Sequence, residues 1–324
     1  MSGLIVIFGY GPVGKAATEL LASQGHKVRV AQRTAPKSLP PGVTFQRCDV
    51  LDAAQVMAAA QGAAQIVIAV GFTYSGKVWC DVWPRAMRNF LAAAEASQAR
   101  VVFFDNLYMY GPQVAPLRET MPLSAYGAKP AARAAITRMW QAAAAEGRVK
   151  LASLRAPDFY GPGVTLSHIG DSGFGRLGQG KAAMLLAQPD MPHDFAYVPD
   201  LARNVVTLLD APDDAYGQVW HSPCASTRTP RQILAIGADA LGIKLKVSAL
   251  PIWMLPIMGV FAPFLRELWE MRFQWDRPYQ VDASKWIARF GNDVTPFEVG
   301  ARETALSFRR EQAPAPSRAA IATA

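Results

Sequence analysis

The sequence predicts an α/β protein built on a doubly wound parallel sheet. Two observations indicate this fold class. Short apolar segments of strand length alternate with longer segments of helical periodicity, and the first strand runs directly into a glycine-rich turn. With 324 residues, of which 51% are hydrophobic and 18% charged, the chain can bury one large core or a main domain with a smaller second one.

The predicted elements alternate along the first two thirds of the chain. Strands are expected at residues 4–8, 28–31, 43–46, 65–70, 101–104 and 150–155. Helices are expected at residues 13–24, 53–61, 79–98, 131–146 and 200–209. Joined by right-handed crossovers, these strands would form a complete Rossmann sheet. The pattern loosens after Gly161 and returns with a helix at 229–241 and a strand at 244–249.

These patterns predict how the chain divides into domains. Residues 1–160, with 190–225 returning to them, are expected to form the Rossmann domain. Residues 161–189 and 226–311 are expected to form a smaller, substrate-binding lobe. Residues 312–324 are rich in Ala and Pro without apolar periodicity, which predicts a mobile tail.

The apolar segment 249–265 requires a separate interpretation. It is nearly free of charge, but it is shorter than the roughly 20 residues that a membrane span needs, and three prolines interrupt it. We therefore predict buried helix pieces. A wall of the substrate pocket, a dimer contact and a membrane-surface patch remain open as roles for this segment.

Composition and charge narrow the class of protein further. The net charge is +8, but the Lys and Arg residues are scattered, which favours small anionic ligands over nucleic acid. The three cysteines match neither a disulfide framework nor a metal site, and the first strand leaves no room for a signal peptide. We expect a cytoplasmic protein that binds a small-molecule substrate and does not insert stably into a membrane. A homodimer remains open.

The glycine-rich turn predicts a dinucleotide site. Gly9-Tyr10-Gly11-Pro12-Val13-Gly14 has the pattern G-x-G-x-x-G between a strand and a helix. The first glycine permits the tight turn, the second lets a pyrophosphate approach the backbone, and the third lets helix and strand pack closely. The phosphates would then lie at the positive end of the helix.

The end of the second strand predicts which dinucleotide is bound. A site selective for NAD carries Asp or Glu about 20 residues past the glycines, but this chain has no carboxylate between Glu19 and Asp49. Arg33, with Lys37 nearby, instead offers a guanidinium group to a 2′-phosphate. NADP is therefore preferred over NAD, the alternative being that Arg33 is a solvated loop residue.

Several motifs in order resemble the extended short-chain dehydrogenase/reductase family, which includes NAD-dependent epimerase/dehydratase proteins. They are GYGPVG at 9–14, CDV at 48–50, VVFFDNLYMYG at 101–111, RAPDFYGPG at 155–163 and FAYVPDLARNVV at 195–206. The segment DRPYQVDASKWIARFG at 276–291 also resembles the family's C-terminal region. The resemblance is clear over about the first 210 residues, and it implies an enzyme.

The resemblance also implies cofactor-binding residues beyond the glycine turn. They lie in three groups that follow predicted strands: Asp49 and Val50 beside the adenine, Ala69, Val70 and Gly71 after the fourth strand, and Pro157, Asp158, Phe159 and Tyr160 near the nicotinamide. These positions are at the carboxyl ends of parallel strands, where open α/β sheets bind ligands. For Asp49, a role as a turn former or N-cap is an equal alternative.

The catalytic motif departs from the family's pattern. Members usually carry Ser or Thr after the fifth strand and a Tyr-x-x-x-Lys pair, whereas here Asn106 takes the first position and Tyr126 and Lys129 are spaced Tyr-x-x-Lys. Because Pro130 follows at once, the helix is predicted to begin at about that residue and to leave Tyr126 in the preceding loop. Lys129 could still reach a ribose hydroxyl, and Arg133 could replace or support it.

Reduction of a carbonyl requires a group that protonates the developing alkoxide. Tyr126 is the first candidate, and Tyr108, which follows the fifth strand, is the second. Asn106 could orient a substrate carbonyl through its amide. Tyr110 is expected to be aromatic packing, and His193 is interpreted as a structural turn residue, although it could face the substrate.

These observations predict an atypical NADP(H)-dependent oxidoreductase that acts on a small, apolar or aromatic carbonyl or hydroxyl compound. The apolar preference rests on a set of residues with few charges nearby, namely Trp253, Met254, Leu255, Ile257, Met258, Phe261, Phe264 and Trp269. Two alternatives remain open. One is a nucleotide-sugar epimerase or dehydratase, and the other is a non-catalytic NADP-binding sensor or assembly factor, since the Tyr-x-x-x-Lys signature is missing.

Overall fold

A computed structural model describes residues 3–124 and 126–312 and contains a seven-stranded parallel sheet. The strands of the chain are β1 Leu4–Phe8, β2 Val28–Gln32, β3 Thr44–Arg47, β4 Ala63–Ile68, β5 Arg100–Asp105, β6 Lys150–Arg155, β7 Asp158–Tyr160, β8 Ala183–Leu186, β9 Phe195–Tyr197, β10 Val219–His221 and β11 Val247–Leu250. The order in the sheet is β10-β6-β5-β4-β1-β2-β3. The prediction of a doubly wound parallel sheet is confirmed, and all six predicted strands lie within two residues of their expected bounds.

The seventh strand, β10, was not predicted from the sequence. It pairs in parallel with β6 at the edge of the sheet. Three residues, Val219–His221, are too short to show the alternation or the apolar run by which strands are recognised.

The helices cover both faces of the sheet. They are α1 Pro12–Ser23, α2 Ala53–Ala60, α3 Gly76–Ser97, α4 Ala128–Ala145, α5 Arg176–Gly178, α6 Val198–Asp210, α7 Pro230–Leu241, α8 Leu255–Met258, α9 Pro263–Glu270, α10 Ser284–Phe290 and α11 Phe297–Gln312. One apolar cluster joins α2, α3 and α4 to the sheet, and a second joins α1 and α6 to its other face. Burying both faces explains why the strands are almost continuously apolar.

A third apolar cluster lies outside the sheet. It brings α7 and α11 together with β8 and β9, and its largest members include Phe174, Phe297 and Phe308. The predicted helix at 229–241 is confirmed as α7, whose N-cap Thr229 exchanges reciprocal hydrogen bonds with Gln232. The predicted strand at 244–249 is shifted to β11, which pairs with β8.

The apolar segment 249–265 does form helix pieces, but the prediction that they are buried is wrong. Leu255 is buried, whereas Trp253 is 62% exposed and Phe261 is 87% exposed. The chain folds back at α8 and α9, so one side of the segment covers a cavity and the other side faces solvent.

Three further expectations concern the rest of the chain. Of the tail predicted at 312–324, Gln312 ends α11 and the remainder lies outside the described residues. Cys48, Cys80 and Cys224 are free thiols. Within residues 3–124 and 126–312, no helix is long and apolar enough to cross a membrane, and no group of three or more His, Cys, Asp or Glu could hold a metal ion.

Candidate functional site

The glycine-rich turn has the geometry that its sequence predicts. Gly9 has φ +96°, and a Cβ atom there would lie 2.6 Å from the carbonyl oxygen of Ala69. A Cβ on Gly14 would lie 2.1 Å from the carbonyl oxygen of Gly9, so the third glycine is required for packing. Around Gly11, in contrast, the space is open to 4 Å. A pyrophosphate could therefore approach the backbone at Gly11, next to the N-terminus of α1.

The main cleft lies along the carboxyl ends of β1, β4, β5 and β6 and has a volume of about 430 Å³. Its lining includes most of the expected cofactor-binding residues and both candidates after β5: Gly11, Pro12, Val13, Ala69, Val70, Gly71, Asn106, Tyr108, Pro157, Asp158 and Phe159. It also includes residues that sequence reasoning missed, among them Tyr74, Trp79 and Asp105. The cleft is therefore at the sheet edge where this fold binds ligands.

Tyr160 does not lie at the cleft, although the resemblance implied that it would. Its side chain is buried in the third apolar cluster, where its ring stacks on Phe297 with centroids 5.5 Å apart. A Cβ atom on Gly300 would lie 2.6 Å from the Tyr160 hydroxyl. The Tyr160 side chain therefore fills a core and is not among the described residues that line the cleft.

A side hollow of about 440 Å³ adjoins the ends of β2 and β3 and is lined by Arg33, Arg47, Asp49 and Gln55. Arg47 was missed from the sequence. The parallel register places it opposite Gln32, one residue before Arg33, so both guanidinium groups border the same hollow. Two arginines at this place could hold a phosphate.

Asp49 lines this hollow and also forms a turn, whereas Val50 packs in the core. Asp49 accepts a hydrogen bond from the backbone N–H of Leu51 at 3.0 Å, which is the turn-forming alternative that the sequence left open. The Val50 side chain is buried in the core, and its carbonyl accepts from Asn89 at 2.9 Å.

Tyr126 and Lys129 do not meet at the cleft. As predicted, Tyr126 lies in the loop before α4, and its hydroxyl accepts a hydrogen bond from Arg272 at 2.8 Å. Lys129 is completely buried, and its ammonium group donates to the carboxylates of Glu267 and Glu270 on α9. Neither Tyr126 nor Lys129 is among the described residues that line the main cleft: α9 holds Lys129, and Arg272, which follows α9, holds Tyr126.

Tyr108, the second candidate for the proton donor, lies at the main cleft, whereas Tyr126, the first candidate, does not. Tyr108 lines the cleft, and its ring stacks on Trp79 with centroids 6.0 Å apart. Burial, reinforced by the nearby Asp158 carboxylate, raises the pKa of Tyr108 to about 12, although Tyr74 and Arg133 act in the opposite direction. The phenol is thus protonated at neutral pH and can donate a proton.

Asn106 and Arg133 complete this end of the cleft. Asn106 accepts a hydrogen bond from the Tyr108 backbone N–H at 3.1 Å. Arg133 lines the cleft one helical turn after Lys129, and its guanidinium lies 2.8 Å from Asp105 and 3.8 Å from the centroid of the Trp83 ring. Arg133, which the sequence suggested as a replacement for Lys129, therefore lines the cleft, whereas Lys129 does not.

Asp158 stands where the main cleft meets a second cavity. Its Oδ2 lies 3.1 Å from Nε2 of His193, and although burial acts to raise the pKa of Asp158, the interaction with His193 keeps it below its usual value. His168 stacks on His193, and burial lowers the pKa of His168 to about 3, so its imidazole is neutral. His193 is buried, as a structural histidine would be, yet it holds a cleft carboxylate.

The second cavity, which we term the apolar cavity, has a volume of about 500 Å³. It shares Tyr74, Tyr108, Asp158, Thr165 and Leu166 with the main cleft, and most of its other walls are apolar: Met184, Leu185, Leu186, Leu250, Leu255, Phe264, Leu265, Leu268 and Trp275. Of the described residues around it, none is Lys or Arg, and two are aspartates, Asp158 and Asp171. Such walls suit an apolar compound held by a few polar groups.

Comparison with known protein families identifies the family of this chain. A profile of the NAD-dependent epimerase/dehydratase family matches residues 5–220. The chain belongs to this family. The resemblance seen in the sequence is thereby confirmed, and the chain is a member of a family of enzymes.

Several solved enzyme structures are similar in fold to this chain. The UDP-glucose 4-epimerase of Thermus thermophilus, in complex with NAD, has a TM-score of 0.74 and 21% identity over 94% of this chain and 99% of its own. The dTDP-glucose 4,6-dehydratase DesIV of Streptomyces venezuelae has a TM-score of 0.78 and 18% identity over 95% and 97%. The Bordetella bronchiseptica enzyme WbmH, with NAD+, has values of 0.74 and 20% over 96% and 99%. No curated protein sequence matches the chain.

Two of the cleft residues that were not predicted, Asp105 and Trp79, could have been recognised from the sequence. Asp105 is a carboxylate that ends β5 directly after four apolar residues, where its burial requires a partner. Trp79 was assigned to a helix but not to its cleft side. Tyr74 had no signal, because it lies in a loop that only the folded sheet brings beside Tyr108.

Proposed function

We propose that the protein is an NADP(H)-dependent oxidoreductase that acts on a small, apolar carbonyl or hydroxyl compound. The observation that carries this proposal is the junction of the main cleft and the apolar cavity at Tyr74, Tyr108 and Asp158. A dinucleotide in the cleft and an apolar substrate in the cavity would meet there. The nicotinamide would supply the hydride in such a reaction.

Each part of the cleft has a role in this proposal. The open backbone at Gly11 and the end of α1 would hold the pyrophosphate, and Arg33 with Arg47 would hold a 2′-phosphate. Asn106 would orient the substrate oxygen. Tyr108 would give its proton to that oxygen, assisted by the neighbouring Arg133 cation.

Cofactor choice is tested by binding. Arg33→Ala is expected to weaken NADPH binding about tenfold to a hundredfold, because one charge-assisted contact contributes roughly 1.5–3 kcal/mol. Dissociation constants for NADPH and NADH would be measured by titration calorimetry, with Arg85→Ala, an exposed arginine on α3, as the control. The similar structures of WbmH and of the UDP-glucose 4-epimerase contain NAD, and NADH binding as tightly as NADPH in the parent protein would overturn the NADP assignment.

Substrate class is tested by a panel of ligands. In the presence of NADPH, aromatic and alicyclic ketones and aldehydes are expected to raise Tm and to be turned over, whereas UDP- and GDP-sugars are not. Met184→Trp, at the exposed rim of the apolar cavity, should abolish the response, and Met57→Trp, a similarly exposed methionine on α2, should preserve it. Stabilisation by a nucleotide-sugar without any response to apolar carbonyls would overturn this substrate class.

Nucleotide-sugar epimerisation or dehydration is the second candidate, and family membership favours it. Against it stands the charge of the apolar cavity, since two aspartates without a lining Lys or Arg among the described residues would repel a second pyrophosphate. A non-catalytic NADP-binding sensor is the third candidate. It would bind the dinucleotide without turning over any compound in the panel.

A further inference from the structure

Three charged side chains are buried together beneath the β5 end of the main cleft. Asp105, Arg133 and Arg155 are 2%, 6% and 1% exposed. Arg133 Nη1 lies 2.8 Å from one carboxylate oxygen of Asp105, and Arg155 Nε lies 3.7 Å from the other. Two cations share one anion, so this trio, which we term the charge cluster, carries one net positive charge.

The other contacts of the charge cluster are with neutral groups. Arg133 lies over the rings of Trp79 and Trp83, with centroid distances of 4.9 and 3.8 Å. Arg155 donates to Thr137 at 3.1 Å and to the Tyr110 hydroxyl at 2.6 Å. None of these partners supplies a second anion.

The histidine beyond Tyr110 is also neutral. Because the Tyr110 hydroxyl accepts from Arg155, its own proton points to Nε2 of His221, 2.9 Å away, and that nitrogen must be an acceptor. Burial, reinforced by the Arg155 charge, lowers the pKa of His221 to about 3. The next carboxylate, that of Glu119, lies 4.0 Å beyond His221 and does not touch the charge cluster.

The charge cluster lies at the end of the cleft that would hold the nicotinamide. The glycine turn follows β1, and the hollow with Arg33 lies on the β2–β3 side of it. The other half of a dinucleotide would then extend toward β5 and β6, where Asp105 and Arg133 line the cleft. Across this end stands Asp158, which faces His193.

We propose that the charge cluster biases the site toward the reduced form of the cofactor. The oxidised nicotinamide ring carries one more positive charge than the reduced ring, so the net positive charge of the cluster would disfavour the oxidised ring. The Asp158 carboxylate, which lines the same cleft, acts in the opposite direction, and the substitutions below change only the contribution of the cluster. This inference rests on the proposed function, because it requires a dinucleotide in the cleft. A unit charge about 10 Å away, at an effective dielectric constant of about 20, corresponds to roughly a tenfold change in affinity.

The test uses two substitutions of opposite sign. Dissociation constants for NADP+ and NADPH are measured separately, and their ratio, NADP+ over NADPH, is compared with that of the parent protein. Arg155→Met removes a cation and should lower the ratio about tenfold, whereas Asp105→Asn removes the anion and should raise it about tenfold. Arg133→Met is a second cation-removing variant, should Arg155→Met fail to fold.

Two controls separate charge from packing. Tyr110→Phe removes a hydroxyl from the same network without changing its charge, and Arg155→Lys keeps the cation. Both should leave the ratio within about twofold, even where both dissociation constants rise together. Ratios that stay constant in the charge variants, or that move in the same direction, would overturn the inference. Failure of the parent protein to bind either dinucleotide would instead contradict the proposed function.

Discussion

Tyr108→Phe is expected to lower kcat by at least about a hundredfold while leaving the dissociation constant of NADPH nearly unchanged. A positioned proton donor contributes about 10²–10⁴-fold, and phenylalanine keeps the ring that stacks on Trp79. Because the pKa of Tyr108 is raised to about 12, the donor is protonated throughout the neutral range. The rate of reduction should therefore show no loss assignable to this group between about pH 6 and 9.

Tyr126→Phe is the matched control for this prediction. Its hydroxyl contacts Arg272, away from the cleft, so the variant should retain kcat within a few-fold. Steady-state kinetics of both variants on the same substrate decide between the two tyrosines. A larger loss in Tyr126→Phe than in Tyr108→Phe would assign the proton donor to the position that the family motif indicates.

Lys129→Met is expected to reduce the free energy of unfolding by about 3–5 kcal/mol. The ammonium group is fully buried between two carboxylates, and removal of one partner leaves Glu267 and Glu270 close together without a counter-charge. Urea denaturation would measure the loss. Lys15→Met, which removes an exposed lysine 3.7 Å from Glu19, should change stability by less than about 1 kcal/mol.

The same ion pair gives stability a pH dependence. Burial acts to raise the pKa of Glu267, but hydrogen bonds from Lys129 and the Gly76 N–H hold this pKa below its ordinary value of 4.5. A carboxyl with a lowered pKa stabilises the fold above its unfolded value, and this stabilisation is lost as the pH falls through the folded value. Unfolding at pH 7 and pH 4 should therefore differ less in Lys129→Met than in the parent protein. An equal difference in both proteins would show that Lys129 does not cause the shift.

The fold could be predicted where local pattern and tertiary structure agree. The strand before Gly9 and the helix after it carry both apolar periodicity and a turn signal, and their bounds are close to those expected. β10 and the exposed side of 249–265 could not be predicted in the same way. The first is too short to have a period, and the second is apolar on a side that the rest of the chain does not cover.

The candidate site could be predicted only in part, because its two halves depend on different information. The glycine turn and Arg33 lie within one βαβ unit, so sequence spacing places them. Lys129 is close to the family's motif in sequence, but its place is decided by two glutamates 138 and 141 residues away. Contacts at such separations leave no mark in local spacing.

The attachment of α9 has a consequence for how ligands would exchange. Glu267 accepts from the N-terminus of α3 and Glu270 from that of α4, so this wall of the apolar cavity is fixed to the helices beside the main cleft. Met184, on β8 at the rim of the same cavity, is 49% exposed and does not line the main cleft. We expect a substrate to enter and leave past that rim while the dinucleotide stays bound, so that exchange of the substrate would not require release of the dinucleotide.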